Sequence, residues 1–119
     1  MRTLPKHFGC PTEFTLQLLG GKWKTVILCY LKEGALRYAE LRALMPRLSD
    51  KVLTERLKEL EASGLIERGV TPVGRYRLTS RGEALRSVLT AIYQWGDRHA
   101  AAFGVKCDNP LKGRVKHRP

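Results

Sequence analysis

The side chains with recognisable chemistry gather in one stretch. Ser49, Lys51, Thr54, Glu55 and Lys58 lie in a segment, Ser49 to Ser63, that reads as a helix. At 100° per residue Leu53, Leu57 and Leu60 fall within about 60° of one another, and Lys51, Thr54, Glu55 and Lys58 cluster on the opposite side. Such a helix has an apolar back and a polar, partly basic front. A lysine ammonium suits phosphate or guanine edges, and a threonine offers a hydroxyl and a methyl to base edges. Ser49 and the first-turn amides behind it suit a phosphate. An ordinary solvated helix carries much the same residues, so the surrounding elements must decide between the two readings.

The charge balance narrows the partner. Twenty-two Lys and Arg face eleven Asp and Glu in 119 residues, a formal net charge of +11. A surplus of that size in a single small domain asks for a polyanion: nucleic acid, an anionic membrane or an acidic protein. No apolar run approaches the ~18 residues of a membrane span, and Lys6, His7 and Gly9 interrupt any signal-peptide core. Cys10, Cys29 and Cys107 form neither an even disulfide set nor a Cys-x-x-Cys pair, which reads as a cytoplasmic chain with reduced thiols. His7, His99 and His117 are far apart and near no carboxylate cluster, so no metal, cofactor or catalytic site is expected. Gly20-Gly21-Lys22 is too short to cradle a nucleotide.

The elements that must position the helix follow from punctuation and periodicity. A first helix, Thr12 to Leu19, follows Pro11 and ends at Gly20-Gly21; a second runs from about Trp23 to Glu33 with Gly34 as its cap, buried through Trp23, Val26, Ile27, Tyr30 and Leu31. Leu36-Arg37-Tyr38 is a candidate strand, and Ala39 to Met45 a third helix halted by Pro46. Ser49 caps the fourth, which ends at Gly64 in the glycine-then-apolar pattern of a Schellman stop. Leu65 to Val70 and Gly74 to Leu78 read as a hairpin about a turn at Thr71-Pro72-Val73. There, alternation turns Tyr76 and Leu78 inward and Arg75 and Arg77 outward. A long helix opens at Thr79 or Ser80, with Ser80 and Glu83 at capping-box spacing. From Lys106 onward the tail is basic and aperiodic, and mobility is expected. Three helices, a Pro-containing turn, a helix and a basic hairpin make a mainly α fold with a small β wing, the winged helix-turn-helix arrangement. Arg37, Arg42 and Arg47 fall where such scaffolds meet the backbone of a duplex. Trp23 and Trp95 are read as core in preference to the walls of an effector pocket.

Several motifs in order resemble the HxlR-type regulators. They are Cys10-Pro11-Thr12, Thr15-Leu16-Gln17-Leu18-Leu19-Gly20-Gly21-Lys22-Trp23-Lys24, Leu36-Arg37-Tyr38-Ala39-Glu40-Leu41 and Ser49-Asp50-Lys51-Val52-Leu53-Thr54. Leu57-Lys58-Glu59-Leu60-Glu61, Gly64-Leu65-Ile66, Tyr76-x-Leu78-Thr79 and Trp95-Gly96 complete the set. The resemblance implies a transcriptional regulator that binds double-stranded DNA as a homodimer, its two recognition helices reading a near-palindromic operator with half-sites about 34 Å apart. It implies a dimer interface on the first and last helices, through Leu16, Leu19, Leu85, Leu89, Ile92 and Trp95, with residues 1–9 an arm, 10–104 the domain and 105–119 a tail. From the helix face, its cap, the scaffold arginines and the outward wing arginines, DNA contacts are expected at Arg37, Arg47, Ser49, Lys51, Thr54, Glu55, Lys58, Arg75 and Arg77. The chain departs from the family pattern between Arg68 and Tyr76, where its wing tip is shorter, and in placing arginine at positions 75 and 77.

Cys10 precedes Pro11 at a helix N-terminus beside Lys6 and His7, surroundings that favour thiolate, the oxidisable form. The resemblance adds that family members carry a cysteine here, which controls activity in redox-sensing relatives. An oxidant or small-molecule effector acting through Cys10 is one expectation, a plain cap residue the other. Cys29 reads as core. A winged-helix module binding structured RNA, or acting architecturally on DNA, also fits the charge; it predicts weak sequence preference, whereas a promoter regulator predicts a large specific-to-non-specific ratio.

Overall fold

The computed structural model describes residues 4–70, 74–108 and 110–111. Pro11, whose missing N–H costs nothing in a first turn, opens α1 (Pro11–Leu19) behind Cys10. Gly20, at φ 28°, ends it, and α2 (Gly21–Leu31) starts at once. The second half of α2 is buried on more than one face: Ile27, Leu28, Cys29 and Leu31 all lie in the core, with Trp23, Val26 and Tyr30 packed partly buried around them. The Cys29 thiol donates to the Leu89 carbonyl at 3.7 Å. Burial pushes that thiol's pKa up, so Cys29 is the inert structural cysteine expected of a core site.

Helix α3 (Tyr38–Leu44) stops two residues before Pro46, and α4 (Asp50–Ala62) follows a turn anchored by buried Met45 and Leu48. The Schellman stop of α4 has both its bonds: Leu65 N–H to the Leu60 carbonyl at 3.1 Å and Gly64 N–H to the Glu61 carbonyl at 3.0 Å. Gly64 sits at φ 74°, a conformation that costs a residue with a Cβ roughly 1 kcal/mol or more. Strands β1 (Ile66–Arg68) and β2 (Tyr76–Leu78) pair antiparallel, Ile66 opposite Leu78 and Glu67 opposite Arg77. Both strands are shorter than the hydrophobic runs suggest. Of the expected strand at Leu36-Arg37-Tyr38 only Leu36 pairs, exchanging two backbone bonds with Tyr76. Tyr38 already belongs to α3. The expected turn at Thr71-Pro72-Val73 lies outside the described residues.

The single long C-terminal helix is instead α5 (Ser80–Glu83), α6 (Arg86–His99) and a 3-10 turn, Ala100–Phe103, ended by Gly104 at φ 71°. The cap is Thr79, not the Ser80–Glu83 box. Its Oγ1 accepts from Gly82 N–H at 3.1 Å and donates to the Gly64 carbonyl, while its own N–H bonds the Leu65 carbonyl at 3.1 Å. Thr79 thereby fastens α5 to the wing. Leu85 N–H then bonds back three residues to the Gly82 carbonyl, and from α6 Leu89 lies fully buried in the core. The tail is not wholly free either. Leu111 is buried, and Asp108 comes within 3.8 Å of Arg47; residues 109 and 112–119 lie outside the described residues.

Candidate nucleic-acid interface

Helix α4 presents the face expected of it. Leu53, Leu57 and Leu60 are fully buried, and Lys51, Thr54, Glu55 and Lys58 are exposed. Burying each leucine contributes about 1.5–3 kcal/mol, so this back fixes the helix's rotation about its axis. At the start, Ser49 Oγ accepts from Val52 N–H at 3.2 Å.

The interface also holds a cluster that residue types alone did not reveal. Tyr38 Oη donates to Asp50 Oδ1 at 2.6 Å, and Arg42 Nε donates to the same oxygen at 3.0 Å while its Nη1 donates to the Met45 carbonyl at 3.0 Å. The Tyr38 hydroxyl first, and Arg42 second, hold the Asp50 carboxyl below its ordinary pKa. The same hydrogen bond pushes the Tyr38 phenol up. One carboxylate thus ties the first turn of α4 to α3 and to the turn between them, setting the angle at which the exposed face is offered. The signal available in the sequence was Asp50 behind a Ser cap, which reads equally well as a partner for the helix dipole. Arg42 is therefore committed inside the protein, and of the three arginines expected near a backbone Arg37 and Arg47 remain exposed. Arg37 is the N-cap of α3, where the Glu40 carboxylate accepts its backbone N–H at 2.9 Å.

The wing divides its arginines. Arg77, directly across from Glu67, gives its Nε to that carboxylate at 3.0 Å. Arg68 lies over the Tyr76 ring, 5.2 Å from its centre, and bonds the Gly74 carbonyl at 3.2 Å. Arg75 is exposed, and it alone of the three has no ion pair or ring contact among the described residues.

Cys10 is exposed and forms the N-cap of α1. The Glu13 backbone N–H, then the Thr12 hydroxyl and backbone N–H, hold its thiol below the ordinary value. On the residues expected in a dimer interface the structure is divided. Leu16, Ile92 and Trp95 are exposed, Trp95 stacking near His99 and Phe103 and so not in the core. Leu85 is half-buried. Leu19 and Leu89 are buried within the protomer's own core and have no surface to offer, because α1 and α6 each carry two apolar faces and these two residues lie on the inner one. Among the described residues, no group of three or more His, Cys, Asp or Glu could hold a metal ion, and no helix is long and apolar enough to cross a membrane.

A tri-helical unit, a helix set by a tight turn, and a two-stranded wing docked on its C-terminal end define a winged helix-turn-helix regulator. The chain belongs to the HxlR-like helix-turn-helix family, whose profile matches residues 18–103. It is 43% identical to the HTH-type transcriptional regulator YtcD of Bacillus subtilis over 93% of this chain and 95% of that one. It is similar to the redox regulator HypR in its reduced form, at a TM-score of 0.73 and 33% identity over 80% of this chain and 98% of the other. It is likewise similar to the reduced form of the transcriptional regulator YodB from B. subtilis, at a TM-score of 0.65 and 38% identity over 76% and 94% of the two chains. The chain is thus a transcriptional regulator of helix-turn-helix type, as its relatives are.

Proposed function

We propose that the protein is a cytoplasmic, homodimeric, sequence-specific binder of double-stranded DNA, with the α4 face in the major groove and the wing on the backbone. The observation that carries this is the α4 face itself. Lys51, Thr54, Glu55 and Lys58 stand exposed on a helix whose back is locked by three buried leucines and whose start is tied down by Tyr38 and Arg42 through Asp50. Arg37, Arg47, Ser49 and Arg75 flank it as phosphate contacts, a chemistry that positions the protein without reading sequence. The exposed apolar stripe of Leu16, Ile92 and Trp95, with Phe103, supports pairing of two chains.

Selection of bound duplexes from a random pool, followed by affinity measurement on the selected site, tests the reading. A near-palindromic site should emerge, and Lys51→Ala or Thr54→Ala should each weaken it by about 1–3 kcal/mol while leaving non-specific binding nearly unchanged. A pool that yields no enriched sequence would favour an architectural or RNA-binding module instead.

Cys10 supports a redox response within the same reading, because its thiol is exposed and held below its ordinary pKa, and one structural relative is the redox regulator HypR. Two Cys10 thiols, one from each chain, would join as a disulfide and give two electrons and two protons to an oxidant such as diamide, which becomes the hydrazine. DNA affinity that responds to diamide in the wild type but not in Cys10→Ser is the expected result; an equal response in both would remove the role.

A further inference from the structure

A cleft of about 1010 Å³ opens between the C-terminal end of α2, strand β2 and the α5–α6 unit, and the functional reading above leaves it unused. Its wall is built unlike a solvated surface. Lys32, only 3% exposed, lines it as an ion pair with Glu33, and its ammonium also lies 5.8 Å from the centre of the Tyr93 ring. Withdrawing an ammonium and a carboxylate from water costs several kcal/mol per ion, so such a pair is a poor choice for stability alone. Beside it, Leu31, Ala35 and Ala91 offer apolar surface, and Ser87, Thr90 and Gln94 offer hydroxyl and amide groups from α6. The volume is that of a site for a small organic molecule, and apolar wall with a few converging polar groups is the usual composition of one.

The unengaged donors select the ligand. Of the cleft's cations, Lys32 is matched by Glu33, and Arg86 is held bidentate by Glu83 at 2.9 and 3.0 Å. Arg77 spends only its Nε, on Glu67, so among the described residues its two terminal nitrogens have no partner. We infer that this cleft binds a small amphipathic carboxylate, its anion on the terminal nitrogens of Arg77 and its apolar body against the Leu31, Ala35 and Ala91 wall. A guanidinium with two parallel donors matches a carboxylate in shape as well as charge.

Most of the cleft's α6 wall is turned away from the apolar stripe proposed for pairing. On α6, Val88, Ile92 and Trp95 form the exposed apolar stripe, whereas Ser87, Thr90 and Gln94 lie about 130° around the helix from it. Pairing through the stripe would leave these three wall residues uncovered, with Ala91, about 40° from Trp95, at the edge of the stripe. A ligand there touches β2 and α6 at once, and so bridges the wing and the helix that bears the pairing surface.

The test uses the full chain and two probes, phenylacetate and its neutral amide, followed by amide chemical shifts. Phenylacetate should move the Ala35, Leu78 and Ser87 resonances saturably. Arg77→Gln should weaken it about tenfold or more, the loss of one charge-assisted pair of bonds. Phenylacetamide on the wild type should bind as weakly as phenylacetate on that variant. Ala91→Phe, which fills the cleft from an exposed position, should abolish the shifts while the rest of the spectrum shows the fold intact. No saturable shift up to about 10 mM, shifts that Arg77→Gln leaves unchanged, or shifts centred on Trp23 instead would each overturn the inference.

Discussion

Gly82 is where the wing, the end of α4 and the C-terminal unit meet, and a single methyl there tests the whole arrangement. A Cβ on Gly82 would stand 2.1 Å from the Leu65 carbonyl oxygen, 3.2 Å from its carbon and 3.3 Å from Leu78 Cβ. Ordinary contact requires the oxygen to recede by about 1 Å. Leu65 is buried, ends the Schellman motif of α4 and leads into β1, so it cannot move alone. The separation strains the Thr79 bonds to Leu65 and Gly64, worth about 1 kcal/mol each, and adds the 1–3 kcal/mol typical of overpacking. Against this stands a gain of about 0.5–1 kcal/mol from replacing glycine by alanine in a helix. Gly82→Ala should therefore lose roughly 2–4 kcal/mol, read as a fall in the urea midpoint at unchanged slope by far-UV circular dichroism. Gly96→Ala is the control: nothing lies within 4 Å of a Cβ built there, and the same chemical change should stabilise by up to about 1 kcal/mol. A Gly82→Ala midpoint at or above wild type would refute the packing argument, since no compensating contact is available at that position.

Four further outcomes follow from the same geometry. Leu57→Ala, at a residue 1% exposed on the back of α4, should cost about 2–5 kcal/mol in the same denaturation assay and weaken specific DNA binding with it. The Tyr38–Asp50 bond makes stability depend on pH at both ends. Asp50, held below its ordinary 3.8, contributes stability above that value that is lost as pH falls through its lowered pKa, and Tyr38, raised above 10.0, contributes stability below that value that is lost as pH rises through its raised pKa; Asp50→Asn should flatten both limbs of a stability–pH curve. In a salt titration of DNA binding, Arg75→Ala should lower the slope by about one, whereas Arg77→Ala, whose Nε is paired with Glu67, should lower it by less. Alkylation of Cys10 by iodoacetamide should reach half its maximal rate at a lower pH than that of free N-acetylcysteine, and equal midpoints would show that the cap does not acidify the thiol.

Much of this protein is legible along the chain, and the legible parts share a cause. The α4 face, its Ser49 cap and its stop at Gly64 depend on residues within one or two helical turns of each other, where periodicity and cap chemistry act locally. The net positive charge and the order of the elements are likewise properties of the chain. The misread parts are those in which a distant neighbour competes for the same group. Thr79 outbids Ser80 as a cap because the Gly64 and Leu65 backbone accepts its hydroxyl and amide, and this docking splits the C-terminal helix in two. Leu19 and Leu89 sit on helices with two apolar faces, and only packing decides which face turns inward. Arg42 and Arg77 look alike with the exposed arginines until Asp50 and Glu67 are brought beside them. The amino-acid sequence by itself determined which helix has a buried leucine back and an exposed polar front, since helical periodicity needs no partner. Only the tertiary structure decided at what angle that helix stands and which cations are left free around it, because hydrogen bonds and ion pairs between segments far apart in sequence are settled by the fold.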